Sequence, residues 1–397
     1  WYERDEKGEL TYTADWSDTA NLNYADEGMV KAMQEAMLFW LKRGVDGFRC
    51  DVAPLVPMEF WNKARVAVEQ VRPGCIWLSE SVEPGFITYL RSQNLVAHTD
   101  SEVFEVFDIA YDYDIFGIFR EVLDGKRPLA DYAAAVNGQE NLYQDTYVKL
   151  RYLENHDQPR IISRYGSEEY RTESGKMLAT MYICQSGTPF IYQGQEIGMV
   201  NIDLPEVEDY KDVFAINNFK TLRMLGFSEE KAKQRLKTSS RGNARTPVQW
   251  DDSENAGFTT GKPWIKVNPN YTEINLEADR ACADSIFAFY QKLLQLRKEN
   301  PAIYDGDLQF LLEDHPQILM YLRRCEGQTL LVIANYSGKT CPVTLPGEIA
   351  GRRFRRILTN REETAPSLAG RESWLPWEAE IYLVEDVPCN ADCGTPV

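Results

Sequence analysis

Long apolar runs are missing from this sequence. None approaches the roughly 20 residues that a membrane-spanning helix needs, so no membrane partner is expected. Basic residues are in short supply too. There are 43 of them against 61 acidic ones, for a net charge of −18. That balance argues against nucleic acid and anionic membrane as partners, since both attract basic patches. Histidine is scarce, three in 397 residues, which makes a multi-histidine metal site improbable. The eight cysteines are scattered, from Cys50, Cys75, Cys184, Cys282, Cys325 and Cys341 to Cys389 and Cys393, and form no disulfide framework. Several lie in apolar stretches and read as buried free thiols. Cys389 and Cys393 sit in a Pro/Asn/Gly-rich tail, where they would suit pairing or a metal. The chain opens on Trp1 without Met or a leading strand, which reads as processing or truncation upstream. A cytoplasmic location is expected.

What is present is an alternation of helices and strands. Residues 28–43 form an amphipathic helix with Val30, Met33, Met37, Trp40 and Leu41 on one stripe, ended by Gly44. Residues 47–52 read as a buried strand, 58–71 as a helix, 75–80 as a second strand and 84–94 as a helix. Val103–Asp108 is a third strand candidate, followed by helical segments around 115–136. Val148–Leu153 is a fourth strand, 172–186 a helix, and Phe190–Gly194 a fifth strand. Strands alternating with helices predict βαβ units and a parallel sheet. Residues 195–275 read as a long irregular insert, and its Trp250, Phe258, Trp264 and Tyr271 favour an ordered, ligand-facing loop. A helix at 284–299 follows. Beyond Pro301 the pattern becomes short alternating strands at 307–312, 317–324, 328–336, 341–345, 353–358 and 378–384, a small antiparallel β-sandwich. The expected organisation is an α/β (β/α)8 barrel domain over 1–304, with its loop at 195–275, and a C-terminal sandwich and tail over 305–397.

Three of these strands run into acids: Asp51, Glu80 and Asp157. Singly, each reads as well as a structural cap or ion pair. Carboxylates are seldom buried unpaired, so three at one rim need a reason. Side chains alternate along a strand, so Arg49 and Asp51 share a face. Without a metal-ligand set, three such acids suit glycoside cleavage. That chemistry needs a nucleophilic carboxylate and a proton-donating carboxylic acid around an oxocarbenium-like centre. Arg49 would keep Asp51 ionised and oriented. Glu80 must carry its proton at working pH, so apolar walls such as Trp77 are expected around it. For a retaining enzyme the two carboxyls should lie about 5–5.5 Å apart.

Several segments resemble the α-amylase family, glycoside hydrolase family 13. Gly47-Phe48-Arg49-Cys50-Asp51 is similar to its nucleophile segment, Ser79-Glu80-Ser81 to its acid/base segment and Glu154-Asn155-His156-Asp157 to its Asn-His-Asp segment. Asp18 to Asn23 resembles the segment that closes the inserted B domain. Ile191 to Met199, Arg241 to Asp251 and Ala256 to Tyr271 resemble the oligo-1,6-glucosidase and α-glucosidase branch. The resemblance implies Asp51 as nucleophile, Glu80 as acid/base and Asp157 as transition-state stabiliser. It implies that Arg49 and His156 bind the sugar at the cleavage site, and that Arg241 holds the non-reducing-end sugar. Val52, directly after the nucleophile, matches members that cleave α-1,6 bonds. No cofactor and no metal are implied; a structural calcium would belong to the absent N-terminal part. The partner is an oligosaccharide.

There are departures. Gly242 stands where the branch usually has Asp, and Asn21 where the B-domain segment usually has Asp. The Asp51–Glu80 interval is short. The family's first three barrel strands have no counterpart, so the expectation is an incomplete barrel, strands four to eight, inactive alone. The function expected is a retaining α-glucosidase acting on short isomalto- and malto-oligosaccharides. An endo-acting α-amylase or a sucrose-isomerising transglycosylase is the close alternative. A non-catalytic transporter heavy chain is the alternative of another class, disfavoured by the presence of all three acids.

Overall fold

A computed structural model describes residues 1–385 apart from 15, 144–146, 326, 363, 365 and 366. Cys389 and Cys393, with the idea that they pair or bind metal, lie outside the described residues. The chain divides into two compact units, Trp1–Gly117 with Gln139–Leu150, and Ile118–Gly138 with the chain from Arg151 onward. The expected domain boundary near residue 304 falls inside the second unit, between its last helix and its first antiparallel strand.

The first unit begins with a ribbon of antiparallel bridges, Tyr2 to Leu22, Arg4 to Leu10 and Tyr12 to Ala20. Asp26 caps helix α1 (Glu27–Leu41) by accepting the Met29 amide, the usual role of Asp at that position. There follow β1 (Gly47–Cys50), α2 (Met58–Val71), β2 (Ile76–Ser79), α3 (Pro84–Ser92), α4 (Asp100–Val103), β3 (Ile109–Tyr111), then α5 (Tyr113–Leu123) and α6 (Leu129–Tyr143), whose residues 118–138 belong to the second unit, and β4 (Val148–Arg151). Neighbouring strands pair in sequence order, all parallel. Gly47 is required for the first pairing, because a Cβ there would stand 2.3 Å from the Ile76 carbonyl oxygen.

Period two divides the residues of β1 and β2 between two faces. Phe48 pairs with Trp77 in register, and both join a core with Trp61, Val68 and Phe107. From α1, Leu41 enters this core with Val30, Met37 and Leu38 packed against it. Trp40 and Met33, expected on the same stripe, are 55 % and 39 % exposed. Trp40 lies about 100° round the helix from Leu41, which takes it off the buried side.

The third strand is Ile109–Tyr111, not Val103–Asp108. Thr99 and Glu102 form a capping box that starts a helical turn at Asp100. Val103, Val106 and Phe107, spaced three and four apart, then bury together in the core. That is a helical period in a short apolar run, which alternation alone reads as a strand.

The second unit holds α7 (Ile161–Tyr165), α8 (Arg171–Ile183), β5 (Thr188–Pro189), α9 (Val213–Met224), α10 (Glu229–Ser239), α11 (Leu276–Ala281), α12 (Ile286–Glu299) and α13 (Pro301–Tyr304). The fifth strand is Thr188–Pro189, not Phe190–Gly194. The Phe190 amide still donates to the Arg151 carbonyl at 2.7 Å. After it the chain leaves the extended region, with Gly194 at φ +88° and a 3₁₀ turn over Gln195–Ile197.

The span 195–275 is not irregular throughout. It contains α9 and α10, and a core of its own from Ile202, Leu204, Val207, Tyr210, Ala215, Leu236 and Ile265. Helix α10 buries only Ala232 and Leu236, too narrow a stripe to stand out in the sequence. Trp250, Phe258 and Trp264 are exposed.

The antiparallel part comprises β6 (Asp307–Leu311), β7 (Ile318–Cys325), β8 (Gln328–Asn335), β9 (Cys341–Pro342), β10 (Arg353–Thr359), β11 (Ser373–Trp374) and β12 (Ala379–Glu385). Five strands make one sheet in the order β10-β12-β8-β7-β6, and β11 pairs with β9. The two inner faces close on Ile318, Met320, Leu331, Ile333, Trp374 and Tyr382. Within this unit the buried Tyr321 hydroxyl donates to the Met181 carbonyl of α8 at 3.2 Å. Asn360 reaches the Glu173 carbonyl of α8 at 2.9 Å. Among the described residues, no helix is long and apolar enough to cross a membrane.

Candidate active site

In the first unit the structure brings together Arg49, Asp51, Val52 and Glu80, all expected from the sequence. Arg49 leaves β1 on the face opposite Phe48. Its guanidinium binds two carboxylates at once, Asp51 at 2.5 Å through Nη1 and Glu80 at 2.6 Å through Nη2. Glu80 directly follows β2, and its amide donates to the Cys50 carbonyl at 3.0 Å. Parallel register therefore sets the two acids side by side at the carboxyl ends of adjacent strands, where such sheets keep their sites. Tyr111 completes the face, its ring centroid 5.8 Å from the Arg49 guanidinium carbon.

The two acids differ sharply in environment. The Asp51 side chain is 72 % exposed and that of Glu80 only 8 %. Burial pushes the Glu80 carboxyl up to about 7 and the neighbouring Asp51 adds to the rise, while Arg49 and the Val52 amide oppose it. Arg49 itself is lowered by burial but raised more by Glu80 and Asp51, so it stays a cation. Two carboxyls with environments this unlike can hold different protonation states at one pH.

Trp77 is not the apolar wall expected for Glu80. It is fully buried on the other face of β2, against Phe48, Trp61 and Phe107. Residues 77 and 80 differ by an odd number, so a strand sends them to opposite sides. Tyr111 lines the face in its place. Register shows why, since Leu78 pairs with Ile109 and Glu80 then falls level with Tyr111.

Val52 adopts φ +41° and ψ +39°, a left-handed conformation that is costly for a β-branched residue. This turn points its amide at Glu80 Oε2, 3.0 Å away. Strained backbone held in place by its surroundings is common where a group must be aimed.

In the second unit the structure brings together His156, Asp157 and Arg241. The loop that carries the first two is anchored by Glu154, whose fully buried carboxylate accepts from Arg160 Nη1 at 3.1 Å and from the Ile161 amide at 2.6 Å. The Asn155 side chain accepts the Asp157 amide at 2.8 Å. Asp157 Oδ1 then receives Arg241 Nη1 at 3.2 Å and Arg245 Nη2 at 2.6 Å. His156 Nε2 lies 3.3 Å from Asp157 Oδ2.

Two members of this cluster were not singled out in the sequence. Arg245 also donates from Nε to the His156 carbonyl at 2.9 Å. Arg241 and Arg245 stand at the two ends of a 3₁₀ segment, Arg241–Arg245, and both reach Asp157 Oδ1. Asp212 accepts Arg241 Nε at 2.9 Å and Nη2 at 2.8 Å. It also caps α9, and an acid just before an apolar helix start is a legible cap signal.

The comparisons with known proteins agree with this picture. Residues 1–306 match the α-amylase catalytic domain, and residues 308–370 the C-terminal domain of maltogenic amylase. An oligo-1,6-glucosidase of Halalkalibacterium halodurans is 35 % identical over 395 residues, 91 % of this chain and 69 % of that protein. A trehalose-6-phosphate hydrolase of Bacillus subtilis is 32 % identical, over 93 % of this chain and 70 % of that one. A solved trehalulose synthase variant superposes with a TM-score of 0.80 at 29 % identity, covering 97 % of this chain and 74 % of the other. The chain belongs to the α-amylase family of glycoside hydrolases.

Proposed function

We propose that this protein is a retaining α-glucosidase of short α-glucans, with isomaltose-type α-1,6 bonds preferred. The observation that carries the reading is the pair Asp51 and Glu80, one exposed and one buried with its carboxyl pushed up to about 7, joined through Arg49. Double displacement needs one ionised and one protonated carboxyl close together. Asp51 attacks the anomeric carbon while Glu80 gives its proton to the departing glycosidic oxygen. The sugar is then an ester of Asp51. Glu80, now a carboxylate, takes a proton from water, and that water's oxygen replaces Asp51 at the same carbon. Two inversions return the original α configuration.

Asp157 takes the role of stabilising the cationic transition state, and His156 and Arg241 that of holding sugar hydroxyls. These roles rest on the family resemblance of their segments. The α-1,6 preference rests on Val52, whose apolar side chain offers no hydroxyl to the sugar beyond the scissile bond. It is supported by oligo-1,6-glucosidases among the relatives.

The test is turnover of isomaltose, maltose, sucrose and starch by the full-length form of the enzyme and by its Asp51→Asn variant. Isomaltose cleaved with the highest kcat/KM, and no turnover by a folded Asp51→Asn protein, is the expected result. Internal cleavage of starch with isomaltose ignored would replace this reading with an endo-acting amylase.

A further inference from the structure

Asp212 and Gly242 have no part in the chemistry above, yet both bear on Arg241. A guanidinium has five N–H donors in a fixed plane. Arg241 commits its Nε and one Nη2 hydrogen to Asp212 and one Nη1 hydrogen to Asp157. The remaining donors, one on each Nη, are left for a ligand. The Asp212 side chain is 2 % exposed, so it cannot itself serve a sugar. Its other bonds go to the amides of Phe214 and Ala215 at the start of α9, each at 3.3 Å. The Asp212 carboxylate is thus fixed by a helix end and in turn fixes the plane of the guanidinium.

Gly242 makes this arrangement sterically possible. A Cβ at 242 would lie 2.8 Å from Tyr210 Cδ1 and 3.2 Å from both Tyr210 Cβ and the Tyr210 carbonyl oxygen. Tyr210 is 2 % exposed and its backbone touches the site of that Cβ, so it cannot simply swing away. Any side chain at 242 must push on Tyr210, two residues before Asp212. The absent side chain and the buried carboxylate are two parts of one device.

We propose that Asp212 is a positioning residue for Arg241, seated by the contact of Tyr210 with Gly242, and that this segment sets how tightly the non-reducing-end glucosyl unit is held. The inference rests on the glucosidase reading for the identity of the sugar, but not for the coupling between Asp212 and Arg241. The chemistry recognised is a pair of vicinal hydroxyls presented to two coplanar N–H groups.

The experiment is a double-mutant cycle between Asp212→Asn and Arg241→Ala, reading kcat and KM separately for isomaltose. Asparagine caps helices as well as aspartate does, so α9 is kept while the charge is removed. Asp212→Asn is expected to raise KM roughly 10-fold or more, the size of a lost charge-assisted bond, with kcat changed less than about threefold. In the Arg241→Ala background it should add nothing further. Gly242→Ala should raise KM similarly, by displacing Tyr210, and serves where Asp212→Asn does not fold. An unchanged KM in Asp212→Asn and Gly242→Ala, or additive losses in the cycle, would overturn the proposal. If the wild type turns over no α-glucoside, the glucosidase reading has failed instead. The same cycle is then read in melting temperature, where coupling supports the Asp212–Arg241 device and additivity overturns it.

Discussion

At the scale of single residues, one arginine binds both acids, the exposed Asp51 and the buried Glu80. Arg49, Asp51 and Glu80 were legible because strand parity and short acidic words place them without tertiary knowledge. The same parity rule places Trp77 on the face away from Glu80. Tyr111 and Asp212 could not be found by that route, since register and the insert's fold bring them in. The Glu80 environment has a pH consequence. Its carboxyl is pushed up by burial to about 7, so the proton donor is lost above that value. The basic limb of kcat/KM should therefore fall near pH 7. In stability, a raised carboxyl favours the protonated folded form. That contribution is full below the unfolded value and fades as pH rises through about 7. Arg49 lowers the Glu80 value, so Arg49→Met should move the basic limb to higher pH while reducing kcat. A limb that stays in place would show that Glu80 is not the titrating acid.

Val52 offers a second residue-scale test. Threonine has nearly the same shape and can take the same left-handed turn at equal strain, so Val52→Thr changes mainly a methyl into a hydroxyl. Such an exchange in a pocket is worth about 1–3 kcal/mol. The ratio of kcat/KM for isomaltose over maltose should fall by roughly ten- to a hundredfold, without loss of fold. No change in the ratio would remove Val52 from linkage choice.

At the scale of elements, long periodic helices carry their pattern in the sequence and short apolar runs do not. α1, α2 and α12 have enough turns for their pattern to show. α4 with the turn after it is only two turns long, and its capping box outweighs the strand-like composition of Val103–Phe107. β4 carries a further feature that no periodicity reveals. Lys149 is 4 % exposed and binds Asp100 at 2.5 Å and Asp114 at 3.3 Å. Burial alone would lower Lys149, but Asp100, Asp114 and Asp112 hold it raised. Burial would likewise raise Asp114, but Lys149 and bonds from Asp112 and Gln139 leave it lowered. A depressed carboxylate stabilises the fold above its unfolded value, and that contribution is lost as pH falls through the folded one. Lys149→Met should cost about 3–5 kcal/mol in urea unfolding at pH 7, because it strands two carboxylates. The cost should shrink at acid pH as Asp114 takes its proton. A cost under about 1 kcal/mol at pH 7 would mean the cluster is well solvated.

At the scale of the whole molecule, the sequence showed two regimes, βαβ alternation and then short antiparallel strands, and the structure has both. The compact units do not follow that division. The second unit takes in 118–138 as well as everything from Arg151 onward, because Tyr132 of α6 packs on Phe310 of β6 and Tyr321 of β7 reaches the Met181 carbonyl of α8. Contacts between segments that far apart leave no local trace in a sequence. The acidic surface, net −18, fits a neutral sugar as ligand, and the family assignment carries the reaction class.

The central claim is that Asp51 forms a covalent bond to glucose while Glu80 handles the proton. The most direct measurement is mass spectrometry of the protein after reaction with a ring-fluorinated α-glucosyl fluoride, whose ester intermediate hydrolyses slowly. The account predicts a mass increase of one fluoroglucosyl unit, mapped to the peptide containing Asp51 and lost in Asp51→Asn. An adduct on another carboxylate, such as Asp157, or turnover that releases β-configured product with no adduct, would contradict it.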